Sequence, residues 1–289
     1  EKAGIKVGTY HASEIDKYAS AITTKNYPFT FQMGDVTKLE DWRLEYIRDE
    51  IGIDLVIGGS PCQGFSFAGN QLNFEDPRSK LFFDFVRVLK ILKPKYFLLE
   101  NVRMKQESQD IISEYLGVEP VAINSNLVSA QNRHRLYWTN IPFNIPEDKG
   151  IVLADILEDG ATDREKAHCI DANYFKGGNL KSYFEKHRRQ LVFTSGAFRG
   201  RYNSEGKTEQ KLELRYDGKT NSLTTVQKDN VAVDLKELTW RKLSVKECER
   251  LQTVPDGYTE GVSNTQRYKM LGNGWTVDVI ANIFKGITV

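Results

Sequence analysis

A thiol and a carboxyl that close two apolar runs are the first residues able to do chemistry. Cys62 follows DLVIG in the stretch Gly58-Gly59-Ser60-Pro61-Cys62-Gln63-Gly64, and Glu100 closes the run from Tyr96 in Leu99-Glu100-Asn101-Val102. A cysteine reacts as its thiolate and a carboxyl moves protons, so two such strand ends lying side by side bring both groups onto one ligand. Taken singly, a cysteine after a strand is more often an inert buried residue, and a Glu-Asn pair more often a helix cap. Glu14 in SEID and Asp35 in GDV end two further strand-like runs. An acidic residue at that place holds ribose hydroxyls in nucleotide-binding α/β folds, and it equally well starts a helix. The three cysteines, Cys62, Cys169 and Cys248, an odd number with no CxxC pair, cannot form a disulfide framework and do not resemble a zinc site. His168 and His187 lack partners at metal-ligand spacing and read as surface positions, Cys248 reads as a helix packing residue, and no metal is expected.

The segments that must carry these residues alternate in type. Residues 7–15, 29–33, 54–58 and 96–99 are strand-like, and 39–51 is helix-like. Leu81, Phe82, Phe85, Val86, Leu89 and Leu92 recur at three and four positions, the spacing of an amphipathic helix that Pro94 ends. Val121 to Leu127 and Arg135 to Trp138 read as a hairpin. Such alternation predicts right-handed βαβ units, a mainly parallel sheet with helices on both faces, and ligands at the carboxyl ends of its strands. The pattern changes at Pro142 and returns near Leu235, with helices expected over 245–251 and 277–287. The expected domains are 1–143, a smaller lobe over 144–234, and 235–289 completing the first. On that division, replacing Ala161 to Val233 by a linker leaves a folded α/β domain.

Composition fits a folded chain with a sizeable core: 289 residues, 40% of them hydrophobic and 27% charged. No run approaches the ~20 apolar residues of a membrane helix, and no basic-then-apolar signal peptide opens the sequence. The chain therefore reads as cytoplasmic, with no membrane partner. A net charge of +1 hides an asymmetry, because 161–233 holds 14 Lys/Arg against 9 Asp/Glu. A basic insert broken by glycines points to a polyanion partner.

Taken in order, the motifs are Pro61-Cys62, an LFF helix, Glu100-Asn101-Val102, Gln131-x-Arg133-x-Arg135, and Leu271-Gly272-Asn273-Gly274. Their order and spacing closely resemble the cytosine-C5 DNA methyltransferase family of phage and bacterial type. Trp275 in GNGWTVDVI and the compact SAQNRHRLYW add some similarity to the animal de novo enzymes. The resemblance covers nearly all of the chain except the basic insert, and RKLSVKECERLQTVPDGYT (Arg241 to Thr259) matches the family's late segment.

The resemblance implies an α/β, Rossmann-like S-adenosylmethionine-dependent methyltransferase sheet with a target-recognition domain inserted. It implies transfer of a methyl group to C5 of a cytosine in a specific duplex DNA sequence. Cys62 is then the nucleophile that adds to C6 of a flipped base. Glu100 donates at N3, for which desolvation must keep it protonated. Arg133 and Arg135 contact the trapped ring and order the nucleophile loop, while Gln63, Ser66, Arg78 and Gln131 meet DNA. Glu14 binds the cofactor ribose, Ile15 packs on adenine, and Asp35 beside Val36 meets the adenine amine. Pro61, Leu81, Asn273 and Trp275 line the rest of a pocket for S-adenosyl-L-methionine, whose product is S-adenosyl-L-homocysteine. Such an enzyme, encoded by a bacterium or phage, works in the cytoplasm on nucleoid DNA and belongs to restriction-modification.

One departure qualifies the match. The family opens with a strand and a Phe-x-Gly-x-Gly loop that cradles the methionine part of the cofactor, whereas this sequence starts at Glu1-Lys2-Ala3-Gly4. A preceding segment or a second chain is expected to supply that loop. A DNA-binding regulatory or split subunit that needs a partner for cofactor binding is one alternative, and Cys62, Glu100 and the arginine pair weigh against it. A transfer-RNA cytosine-C5 methyltransferase is another, which the sizeable insert disfavours. Exocyclic-amine methyltransferases fit less well, since they carry an Asp/Ser/Asn-Pro-Pro-aromatic segment where this chain has Ser60-Pro61-Cys62-Gln63.

Overall fold

A computed structural model describes residues 2–59, 77–193, 199–202, 208–211 and 240–288, with backbone alone at 77–80, 199–202 and 208–211. Along the chain run β1 (Tyr10–Ala12), α1 (Lys17–Asn26), β2 (Thr30–Gln32), α2 (Asp41–Tyr46), β3 (Leu55–Gly59), α3 (Pro77–Leu92) and β4 (Tyr96–Val102). There follow α4 (Gln106–Leu116), β5 (Val121–Asn124), β6 (Gln131–Asn132), β7 (His134–Thr139), α5 (Leu153–Ile156), β8 (Ala167–His168), α6 (Leu180–Lys186) and β9 (Leu191–Phe193). The described chain ends with β10 (Arg199–Tyr202), β11 (Thr208–Lys211), β12 (Trp240–Lys242), α7 (Val245–Leu251), α8 (Asn264–Asn273) and α9 (Val277–Phe284).

Local chemistry sets several boundaries. Asp16 starts α1 by accepting the amides of Tyr18 and Ala19. Ser244 and Glu247 form a reciprocal capping box at the start of α7. Gly117, at φ +70°, ends α4 in the left-handed conformation that glycine adopts without strain. Helix α3 stops at Leu92, two residues before Pro94, because a proline disfavours helical backbone in the residue before it.

The chain forms two units. One holds 1–125, 134–147 and 277–289, and the other 126–133 and 148–276. In the first, a four-stranded sheet runs in the order β3-β4-β7-β5, and β1 pairs with β2 in parallel. Strands β3 and β4 are parallel from Leu55 opposite Tyr96 to Gly59 opposite Glu100, and β7 is antiparallel to both β4 and β5. The four-stranded sheet is thus mixed, not mainly parallel as the alternation predicts. The link from β5 to β7 holds no crossover helix, so the two strands pair antiparallel, as the hairpin reading expects. Phe82, Phe85, Val86, Leu99, Leu136 and Trp138 form one core cluster of this unit. A Cβ on Gly58 would lie 2.7 Å from the Phe85 ring, which shows how closely β3 packs on α3.

In the second unit, Ala167, Ile170, Tyr174 and Val192 pack with Leu243, Val245, Cys248, Leu251, Tyr268 and Leu271 in one core. Residues 240–276 therefore share a unit with 148–193, whereas the division at 143 and 234 joins them to the first segment.

Candidate active site

Antiparallel register places the carboxyl that ends β4. Glu100 lies opposite Tyr137 and Val102 opposite Arg135, so Arg135 is the diagonal neighbour of Glu100 on the same sheet face. Arg135 Nε stands 2.8 Å from Glu100 Oε1, and the two side chains are 15% and 11% exposed. Burial alone favours a neutral carboxyl, and an opposite charge at that distance favours the carboxylate. His134 reports the same local field, its pKa lowered by partial burial, Arg103 and Arg135. Glu100 thus stands in direct contact with Arg135, each group brought to the other by the β4–β7 register.

The parallel pair β3–β4 sets Gly59 opposite Glu100, and Cys62 follows three residues later in the sequence. Pro61, Cys62, Gln63 and Ser66 lie outside the described residues, and Arg78 is described by its backbone alone. Leu81 is half-buried on α3.

Arg135 bonds within the first unit and Gln131 and Arg133 within the second, because the strand changes partners between them. Strand β6 pairs with β8, Gln131 opposite Ala167 and Asn132 opposite His168, while β7 pairs with β4 and β5. Arg133, buried at the change, donates from Nη1 to Ile170 O at 3.0 Å and Cys169 Sγ at 3.3 Å. Its Nη2 donates to Gly272 O at 3.2 Å and Gly274 O at 2.8 Å. Gln131 is 0% exposed and donates from Nε2 to Leu251 O and Gln252 Oε1. It has no surface to offer a duplex, which corrects its placement among the DNA contacts. Arg135 meets the carboxyl, and Arg133 clamps backbone.

Two carboxylates stand beyond the parallel pair β1–β2. Glu14 Oε1 accepts the amides of Ile15 and Asp16 at 2.8 and 2.7 Å, which folds the side chain back and fixes it. Ile15 is 79% exposed beside it. Asp35 Oδ1 accepts the Thr37 amide and hydroxyl, and those bonds hold its pKa below the usual carboxylate range. Half-buried Val36 follows. Two fixed carboxylates with an uncovered apolar side chain suit a ribose and an adenine, so this donor set fits the nucleoside part of S-adenosylmethionine. In the second unit, Asn273 is exposed and Trp275 half-buried at the end of α8.

Arg87 is a residue that sequence reasoning misses. From α3 it donates to the carbonyls of Val36 at 2.9 Å and Leu39 at 2.8 Å, and to Asp41 Oδ1 at 2.6 Å, so it fixes the segment after Asp35. An arginine inside the apolar run LFFDFVRVL is the only signal the sequence offers.

Two plain readings also meet the structure. Cys248 is buried in the core, and burial pushes its thiol well above the ordinary value. His168 is half-buried rather than at the surface, and burial together with Arg164 lowers its pKa to about 4. Among the described residues no group of His, Cys, Asp and Glu is placed to hold a metal, and no helix is long and apolar enough to cross a membrane.

The model of the C-5 cytosine-specific DNA methylase family matches residues 1–288. The chain belongs to this family. It is 29% identical to the Type II methyltransferase M1.ScrFI of Lactococcus lactis subsp. cremoris over 95% of its own length and 70% of that protein. It is 30% identical to M.NlaX of Neisseria lactamica, covering 98% of this chain and 89% of the relative. A crystal structure described as a prophage DNA modification methyltransferase of E. coli aligns with a TM-score of 0.59 at 19% identity, covering 99% of this chain and 92% of the other. The fold is that of the Rossmann-like S-adenosylmethionine-dependent methyltransferases. The chain is a DNA cytosine-5 methyltransferase with S-adenosylmethionine as cofactor and DNA as substrate. The comparisons bring no support for a second chain.

Proposed function

We propose that the chain methylates C5 of a cytosine flipped out of a specific duplex sequence, with Cys62 as covalent nucleophile. One observation carries this: the β3–β4 register sets Glu100, with Arg135 against it, beside the strand end from which the chain runs on to Cys62. Cytosine C5 is a weak nucleophile, and addition of the Cys62 thiolate to C6 makes it enamine-like. Negative charge then develops toward N3, where Glu100 delivers a proton. After methyl transfer the C5 proton leaves to a base, and elimination of the Cys62 thiolate, with the N3 proton returning to Glu100, restores the ring. Arg135 holds Glu100 in place, and its positive charge also stabilises that developing negative charge. A base inside a duplex cannot reach such groups, hence flipping.

When bound, the cofactor supplies an electrophilic methyl group. Glu14 would hold its ribose, Ile15 and Val36 its adenine, and Asp35 the adenine amine; Pro61 and Leu81 are further proposed cofactor contacts, as are Asn273 and Trp275 of the second unit. Gln63, Ser66 and Arg78 are proposed DNA contacts, and 144–234 the recognition segment. Bacterial Type II methyltransferases among the relatives support a role in restriction-modification, in the cytoplasm on nucleoid DNA.

A duplex carrying 5-fluorocytosine tests the nucleophile. Fluorine blocks loss of the C5 substituent, so Cys62 should remain covalently attached, and the adduct shifts in a denaturing gel. Cys62→Ala should abolish both adduct and methyl transfer while duplex affinity stays within a few-fold, because phosphate contacts carry most of it. An adduct formed by the Cys62→Ala protein would sink the assignment.

A further inference from the structure

The loop that carries Asn273 and Trp275 is held by a buried side chain with no direct part in the proposed chemistry. Gln252, 1% exposed, follows α7. Its Nε2 donates to Leu271 O at 2.5 Å and Gly274 O at 3.1 Å. Its Oε1 accepts Gln131 Nε2 at 3.0 Å and Thr276 Oγ1 at 3.0 Å. The amide orientation is thereby fixed, since only its nitrogen can face two carbonyls and only its oxygen two donors. Arg133 holds Gly272 O and shares Gly274 O. The backbone is thus tied at 271, 272 and 274 and the side chain at 276, while Asn273 stays exposed and Trp275 half-buried between the anchors.

We infer that Gln252 is a positioning residue for cofactor binding, acting through the 273–275 loop. The inference rests on the reading that Asn273 and Trp275 line the cofactor pocket. A buried amide with all four of its hydrogen-bond positions filled fixes geometry as well as adding stability, and displacement of a binding group by about 1 Å is costly. Glutamate at 252 has nearly the same volume, but it turns an acceptor oxygen toward two carbonyls and loses both donations. A purely structural glutamine would show that damage in stability alone. A positioning glutamine shows it in the affinity of protein that remains folded.

The test is calorimetric titration with S-adenosylhomocysteine on Gln252→Glu, Thr276→Val and Trp275→Ala, each checked for folding by scanning calorimetry. Steady-state KM for cofactor and for DNA is measured alongside. Gln252→Glu should weaken S-adenosylhomocysteine binding at least about tenfold, the scale of one to two lost hydrogen bonds. Thr276→Val, which removes one donor, should weaken it by roughly three- to fivefold. For both, KM for cofactor should rise while KM for DNA stays within about threefold. Affinity within twofold of the parent in folded Gln252→Glu and Thr276→Val, with Trp275→Ala weakened, overturns the inference. If Gln252→Glu does not fold, Thr276→Val decides alone. Unchanged affinity in Trp275→Ala would instead overturn the pocket reading, and the inference with it.

Discussion

At β4 the decisive contact is the one between Glu100 and Arg135, 2.8 Å apart and largely buried. Glu100→Gln removes the transferable proton while keeping shape, so turnover should fall by roughly 10²–10⁴-fold, the worth of a positioned acid; an unchanged single-turnover rate would show that N3 is protonated by another group. Arg135→Gln leaves a buried carboxyl without its partner, and turnover should fall. Both Glu100 and Arg135 are legible as motif residues. Their pairing is not, because it follows from the β4–β7 register, which no spacing within either segment encodes. Equal spacing along Gln131-x-Arg133-x-Arg135 even misleads, since the strand exchanges partners at Arg133.

Elements were most legible where local chemistry decides them. Val245–Leu251 is bounded by a capping box that Ser244-x-x-Glu247 spells out, and α3 by its apolar spacing and Pro94. Less visible is what packs against them. Gly272 on α8 approaches the segment after β8 so closely that a Cβ would lie 2.2 Å from the Asp171 carbonyl carbon. Backbone on both sides cannot yield as a side chain can, so Gly272→Ala should destabilise the second unit by at least the ~1–3 kcal/mol typical of overpacking, read as a lower denaturant midpoint. Glu249 on α7, wholly buried, accepts the amides of Gly257 and Thr259 and the guanidinium of Arg267. Burial raises its pKa, but the bonds from Thr259, Arg267 and Gly257 outweigh burial and bring it below the ordinary value. A carboxyl whose folded pKa is depressed stabilises above its unfolded value of ~4.3, and that contribution disappears as pH falls through the folded pKa. The stability gap between the parent and Glu249→Gln should therefore be widest near neutrality and close toward pH 3, measured by urea denaturation at each pH.

Across the whole molecule, composition located a boundary that packing does not respect. The change of pattern at Pro142 and the basic excess after Ala161 make 144–234 look like a separable insert between two halves of one sheet. Yet Tyr174 and Tyr268 lie 5.8 Å apart, centre to centre, the Tyr174 hydroxyl donates to Gln190 O and accepts the Leu243 amide, and β9 pairs with β12. These contacts join residues far apart in sequence, and polar or glycine-rich surroundings hide the few buried positions that make them. Removing 161–233 would delete Ala167, Ile170, Tyr174 and Val192 from the core that also holds Leu243, Cys248, Leu251 and Leu271, and would take Ile170 O from Arg133. Losing the Ile170, Tyr174 and Val192 side chains alone costs on the order of 6–15 kcal/mol at roughly 2–5 each, as much as the whole stability of an ordinary domain. The deletion protein should therefore lose the fold of its second unit, contrary to the expectation drawn from the sequence. Limited proteolysis followed by mass spectrometry reads this directly, through rapid cleavage within 240–276 while 77–125 stays protected. Protection of 240–276 in the deletion protein would show that this segment folds without the insert.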